Sequence, residues 1–263
     1  MPSDTANLTD LLTRVAREYP PSLVPEQVGD VPRIKFHIEY VLKAFPDRRP
    51  GDLSLCDLGG GIGLFSVGCA AAGFGRVVLV DDFRDRVNKE ESSGSVFSVH
   101  EKYGVEVVSR DVIASGIADL GGGFDAITSF DSMEHWHHSP KRLFRQVMTA
   151  LKPGGLFFLA VPNAVNARKR LTVPLGLGKW SSMESWYEEE IFRGHVREPD
   201  VDDLRYIARD MGLIEVEIIG RNWLGMNNHR AWVRAMSALA DRPLRLWPSL
   251  CSDLYLAGRK LRT

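Results

Sequence analysis

Ten residues, Asp131 to Pro140 (DSMEHWHHSP), set two carboxylates and three histidines around one tryptophan. Imidazoles and carboxylates are the side chains that move protons near neutral pH and that bind cations. The stretch lacks the H-E-x-x-H helix pattern of zinc enzymes, and H-W-H-H on a loop fixes no coordination geometry. Oxygen donors suit a hard cation that keeps several waters, so Asp131 with Glu134 forms a candidate Mg²⁺ pair. Asp131, Glu134 and His135 are candidate catalytic groups, and His195, in FRGHVREP, is a second candidate base. Both histidines also carry a structural reading: His135 supports its loop or lines a pocket, and His195 anchors the segment around it. His137 and His138 read as solvated residues ahead of a helix cap at Ser139.

What these groups can do depends on the elements that hold them. The stretch follows FDAITSF, an apolar run of strand length ending at Phe130. Upstream, LSLCDLGGGIG passes from a short strand into a glycine loop, RVVLVDD ends a second strand in acid, and GVEVVSRD ends a third the same way. Helical patterns lie between them: Ile62 to Ala72, a stretch within Arg84 to Tyr103, a short turn near Val112 to Leu120, and a helix from Pro140 with Leu143, Phe144, Val147, Met148 and Leu151 inward. LKPGG stops that helix and LFFLAVP is the next strand. Alternating strands and helices of this length specify an α/β fold, a mostly parallel sheet with helices on both faces. Two amphipathic helices, separated by Pro20, Pro21 and Pro25, precede the first strand; a capped helix at Asp200 and the strand LIEVEII follow. The organisation expected is an N-terminal helical cap over residues 1–50 and a domain over 51–263, with an insertion at about 163–199 above the strand ends.

The glycine loop narrows the ligand. Gly59, Gly61 and Gly63 would let the backbone approach a cofactor, but the sixth position of a G-x-G-x-x-G is Leu64 from Gly59 and Ser66 from Gly61, and no Walker lysine follows. Pyrophosphate is therefore disfavoured, and with it a nicotinamide oxidoreductase. Acid ahead of the loop suits a cationic cofactor: Asp57 near an ammonium, Asp81 or Asp82 on ribose hydroxyls, Asp111 on an adenine amino group, Phe83 and Val112 as apolar walls. The strand pattern favours Asp81 over Asp82.

In LCDLGGGIG, VVLVDD, SRDV, FDAITSFDSMEH and LKPGGLFFLAVPN the chain resembles the class I S-adenosylmethionine-dependent methyltransferases, over about Leu53 to Asn163 and more loosely through GHVREPDVDDLRYIARDMGL. The resemblance implies a Rossmann-like fold, S-adenosylmethionine as cofactor, Phe130 beside it, and a strand-four edge facing the transferred methyl group. That family as a whole needs no metal. The Pro-Pro-aromatic run of amino-methylating DNA enzymes is replaced here by FDSM, and no cysteine stands where the cytosine-carbon enzymes keep their nucleophile. A formal net charge of -1 adds no basic field for nucleic acid.

A small-molecule or oligosaccharide acceptor is expected instead. Trp180, Trp186 and Tyr187 are candidate substrate residues that stack on sugar faces, or else aromatics of a lid that packs them inward. The chain is similar to bacterial methyltransferases acting on sugars, which implies O-methylation of a saccharide hydroxyl. A lipid, quinone or other natural-product hydroxyl is the alternative acceptor, and a non-catalytic S-adenosylmethionine-binding protein the alternative class. Three well-separated cysteines argue against a disulfide framework and for a reducing cytoplasm. The first ten residues lack a secretory pattern, and the uncharged run Leu58 to Gly75 is too broken by glycines for a transmembrane segment. A homodimer is compatible with this reading.

Overall fold

The computed structural model describes residues 5–84, 93–177, 183–188, 190, 192–226 and 230–262. In chain order the elements are α1 (Thr5–Ala16), α2 (Val24–Ala44), β1 (Ser54–Leu58), α3 (Leu64–Ala71), β2 (Arg76–Asp81), α4 (Ser93–Lys102), β3 (Glu106–Ser109), α5 (Val112–Ser115), β4 (Phe124–Phe130), α6 (Lys141–Ala150) and β5 (Leu151–Pro162). There follow α7 (Ala167–Thr172), α8 (Met183–Glu188), α9 (Val201–Met211), β6 (Ile214–Arg221), α10 (Trp223–Met226), α11 (Ala231–Leu244) and β7 (Asp253–Arg259). The strands form one seven-stranded sheet in the order β3-β2-β1-β4-β5-β7-β6. The first five run parallel, and β7 pairs antiparallel with both β5 and β6.

Period-2 alternation feeds two cores, one on each face of the sheet. Leu79, Phe158 and Tyr255 point to the side packed by α1, α2 and α3, while Val78, Phe157 and Leu256 point to the side packed by α6 and α9. Strands buried on both faces read as unbroken apolar runs, which is why VVLV and LFFLAV carry no polar position. Phe158 is fully buried, with the Tyr40 ring of α2 stacked on it at 4.4 Å.

Several local readings shift on folding. Pro25 lies in the first turn of α2 instead of ahead of it, and Pro32 lies inside that helix. α6 begins at Lys141, one residue after the expected Pro140, and Ser139 Oγ accepts from the Lys141 amide at 3.3 Å. β5 starts at Leu151, because LKPGG is a bulge in the β4–β5 ladder with Gly154 in the left-handed region, not a break before the strand. The 163–199 segment contains α7 and α8. α9 carries the expected capping at Asp200, whose side chain accepts from the amides of Asp202 and Asp203, and it ends at left-handed Gly212. Among the described residues no helix is long and apolar enough to cross a membrane.

Phe158→Ala should cost about 3–5 kcal/mol through the cavity left between α2 and the sheet, whereas Asp200→Ala, which removes only a helix cap, should cost about 1 kcal/mol. Urea unfolding of the two variants checks this ordering, and equal losses would mean that the α2–sheet contact contributes little.

Candidate active site

Because β1 to β4 are parallel, the loops after them emerge at one edge, where open α/β sheets bind ligands. They line a cleft of about 810 Å³. The glycine loop forms its floor. Gly59 (φ 68°) and Gly63 (φ 75°) take left-handed backbone, and a Cβ would stand 1.9 Å from Ser132 Oγ at the first and 2.6 Å from His100 Nε2 at the second. At Gly61 a Cβ would meet nothing within 4 Å among the described residues, so this stretch of backbone is open on that side.

Asp57 lies beneath the loop, not in it. Its two oxygens accept from Thr128 Oγ1 and Ser66 Oγ, both at 2.8 Å, and burial pushes its carboxyl up to about 6 against those two hydrogen bonds. Asp81 closes the loop from β2: one oxygen accepts from the Gly61 amide at 2.8 Å and the other from the Phe83 amide at 2.7 Å. Asp82 accepts from the Arg84 amide at 3.0 Å and faces Arg193 at 3.8 Å. Asp111 caps α5 through the amides of Ile113 and Ala114. Phe83, Val112 and Phe130 supply apolar wall, with Phe83 held edge-on against Phe97 at 5.0 Å. These groups fit S-adenosylmethionine: open backbone for the amino-acid end, carboxylates for ribose and adenine, and a cleft large enough for both.

The stretch after β4 closes the cleft. Asp131 adopts φ 48°, a strained angle for a residue with a side chain, held by its amide donating to the Ala160 carbonyl at 3.0 Å. Its carboxylate forms an ion pair with Arg33 of α2, which also pairs with Asp30. Cleft walls desolvate Asp131 and raise its pKa above the ordinary value, Arg33 pulling it down and Asp30 adding to the rise. The side chain is still 34% exposed.

Met133–His135 form a single 3-10 turn that turns Glu134 inward until 1% of it is exposed. Its backbone carbonyl accepts from the Val196 and Arg197 amides, which brings His195 over the turn. The rings of His135 and His195 meet edge to face, with centroids 4.9 Å apart. His135 Nδ1 donates to the Arg193 carbonyl and His195 Nδ1 bonds Glu198, both at 2.7 Å. The carboxylates offered to Mg²⁺ thus have different surroundings: Asp131 faces Arg33, and Glu134 faces the two histidines.

Trp186 and Tyr187 lie on α8, 58% and 74% exposed, and neither lines the cleft. Trp180 lies outside the described residues. Lys169 of α7 is buried in an ion pair with Glu198. Conversely, α2 contributes Glu26, Gln27, Asp30, Arg33 and His37 to the cleft wall, none of which the sequence singled out. Their polar side chains recur every three or four residues on a helix that also carries apolar core positions, and that recurrence is the signal that marks them. His37 stacks on Phe130 at 4.0 Å and shares a 2.9 Å hydrogen bond with Tyr255, which fixes α2 to the strand ends.

Comparison with known proteins agrees with this geometry. A methyltransferase-domain family model matches residues 33–218, well over half of the chain. No curated protein matches in sequence. Among solved structures, the chain is similar to magnesium protoporphyrin IX methyltransferase from Synechocystis with S-adenosylhomocysteine bound (16% identity, TM-score 0.54, 89% of this chain and 84% of that one). It is similar also to phosphoethanolamine N-methyltransferase 2 of Haemonchus contortus in complex with S-adenosyl-L-methionine (19% identity, TM-score 0.52, 86% of this chain), of which it spans about half the length, 52%. An S-adenosylmethionine-dependent methyltransferase from Mesorhizobium loti aligns over 88% of this chain and 97% of its own at 19% identity and TM-score 0.52. At these identities the structures testify to the fold, and the family model to the lineage. This chain belongs to the methyltransferase-domain family, within the class I S-adenosylmethionine-dependent superfamily.

Proposed function

We propose that the protein transfers a methyl group from S-adenosylmethionine to a hydroxyl of a sugar or oligosaccharide, with Asp131 as the proton acceptor. The observation that carries this reading is the Asp131 carboxylate itself, held just after β4 in the lining of the cleft that the glycine loop also lines. The cofactor supplies an electrophilic methyl group; the chain supplies orientation, exclusion of water and a place for the proton. The glycine loop and Asp81 orient one partner. On the facing wall, Glu26, Gln27 and Asp30 present acceptors and an amide, chemistry suited to a polyhydroxylated molecule. Desolvation raises the Asp131 pKa and the Arg33 cation pulls it back down, and in this reading the carboxylate receives the hydroxyl proton.

Residues 1–50 act in this reading as a cap, since Arg33 and His37 reach the strand ends from α2. A reducing cytoplasm suits Cys56, Cys69 and Cys251, which are buried and unpaired. Incubation with methyl-labelled S-adenosylmethionine and a panel of mono- and oligosaccharides, lipid alcohols and phenols tests the acceptor class. Label in a sugar supports it, and label only in lipid or aromatic hydroxyls replaces it.

Asp131→Ala should lower kcat by roughly a hundredfold to ten-thousandfold while leaving S-adenosylmethionine affinity in calorimetry unchanged. Full turnover in that variant removes Asp131 from the chemistry. The pH profile supplies a second check. A base must be deprotonated, so kcat/KM should fall as pH drops through the Asp131 pKa. Arg33→Gln removes the cation that lowers that pKa, so the acid limb should move up by about one to three pH units; a limb that stays in place assigns the base to another group.

A further inference from the structure

Glu134, His135 and His195 bring one potential ligand atom each to within 4.8 Å of one another. The carboxylate is the anomaly among them. Glu134 is 1% exposed, its Oε2 has no hydrogen-bond partner among the described residues, and its Oε1 stands 4.0 Å from His135 Nε2, too far for a hydrogen bond. A buried carboxylate left this way is costly unless it is protonated or compensated by a cation. Burial and the nearby Asp131 push its pKa well above the ordinary value.

The histidines are set up to provide that compensation. His135 Nδ1 lies 2.7 Å from the Arg193 carbonyl, which can only accept, so Nδ1 carries the hydrogen and Nε2 the lone pair. His195 Nδ1 lies 2.7 Å from Glu198 Oε1, which fixes the same tautomer, and the other Glu198 oxygen is held by buried Lys169. Metal-ligating histidines are oriented in this way, by a carbonyl or carboxylate on the ring nitrogen away from the ion.

We propose that Glu134, His135 Nε2 and His195 Nε2 hold one divalent first-row transition-metal ion, Zn²⁺ by preference of the donor set, beside Asp131 at the edge of the cleft. Two imidazoles and one carboxylate suit Zn²⁺ and its neighbours better than Mg²⁺, which prefers oxygen throughout. In a tetrahedral shell with bonds of about 2.0–2.1 Å, ligand atoms stand about 3.3 Å apart. Closure from within 4.8 Å is within the reach of side-chain torsions. Three protein ligands leave a fourth position open, the pattern of catalytic rather than structural zinc sites. That position would take the hydroxyl oxygen of the acceptor, a role that rests on the methyl transfer proposed above. His135 itself lines the cleft together with Asp131.

The full chain, stripped with a chelator and dialysed, is titrated with Zn²⁺ by calorimetry and with Co²⁺ by visible absorption, and S-adenosylmethionine affinity is measured on the same samples. One equivalent of Zn²⁺ and the appearance of Co²⁺ ligand-field bands are expected. Glu198→Gln, which removes the charge that orients His195 and that also pairs with Lys169 while keeping the side-chain shape, should weaken Zn²⁺ binding by about 10- to 100-fold, and His195→Gln by more, with S-adenosylmethionine affinity retained in both as the check on folding. Wild-type protein that binds S-adenosylmethionine but takes up no metal overturns the proposal. So does a His195→Gln variant that binds Zn²⁺ like the wild type. If His195→Gln fails to fold, shown by lost S-adenosylmethionine binding, the Glu198→Gln affinity decides the matter. Stoichiometric metal without methyl transfer to sugars would overturn the acceptor assignment and leave the metal site standing.

Discussion

One buried carboxylate underlies the glycine loop. Asp57 sits at the point where β1 ends, and its two oxygens receive a hydroxyl from β4 through Thr128 and one from α3 through Ser66. Three elements that are separate in sequence are thereby tied at one spot. A side chain at Gly60 would come within 2.3 Å of that carboxylate, so the loop lies directly on its anchor. The loop has little of its own to hold its shape, because glycines contribute backbone freedom and no packing. Its rigidity is borrowed from the Asp57 network below and from Asp81, which receives the Gly61 amide from the side. The shape of the cleft floor is thus a consequence of satisfying one buried charge.

The opposite wall depends on a second network with a different logic. α2 crosses the strand ends, and its attachments combine three kinds of contact: the Arg33–Asp131 ion pair, the His37–Phe130 stack and the His37–Tyr255 hydrogen bond. Tyr255 belongs to β7, so the wall helix is fixed to the antiparallel part of the sheet while its cation reaches the parallel part. A displacement of α2 would change the charge environment of Asp131 together with the width of the cleft. Position and electrostatics are coupled through one helix.

Much of the fold was legible because its signals are local. The apolar runs of β1, β2 and β4 end in acid or glycine, and a strand followed within a residue or two by Asp81, Asp111 or Asp131 announces the edge where a ligand binds. Capping at Asp200 and Gly212 marked α9 as plainly. β7 and α11 were not recognised, since DLYLAGR is short and nothing local says that it inserts between β5 and β6. The site was legible in the same proportion. The residues after each strand line the cleft because parallel strands end at one edge, a local signal, whereas Arg33 and Gln27 reach it only through a helix packing across the sheet. Trp186 and Tyr187 had the right chemistry for sugar stacking but stand on exposed α8, where composition alone could not place them. The meeting of Glu134 with His195 is the clearest case: it is created by two amides, of Val196 and Arg197, bonding back to a turn sixty residues upstream. Such a return of the chain leaves no periodic trace.

The position of β7 has a consequence for how the chain reaches this state. β5 and β6 are never hydrogen-bonded to each other; both ladders run through β7, which is synthesised after every other strand. While the nascent chain lengthens, β1 to β5 can assemble, but β5 presents an open apolar edge of the kind that pairs with other chains. The β5–β7 ladder joins residues far apart in sequence, which is a slow class of event. Control of aggregation falls to whatever shields the β5 edge until β7 pairs with it, and β7 acts as the closing stitch of the sheet.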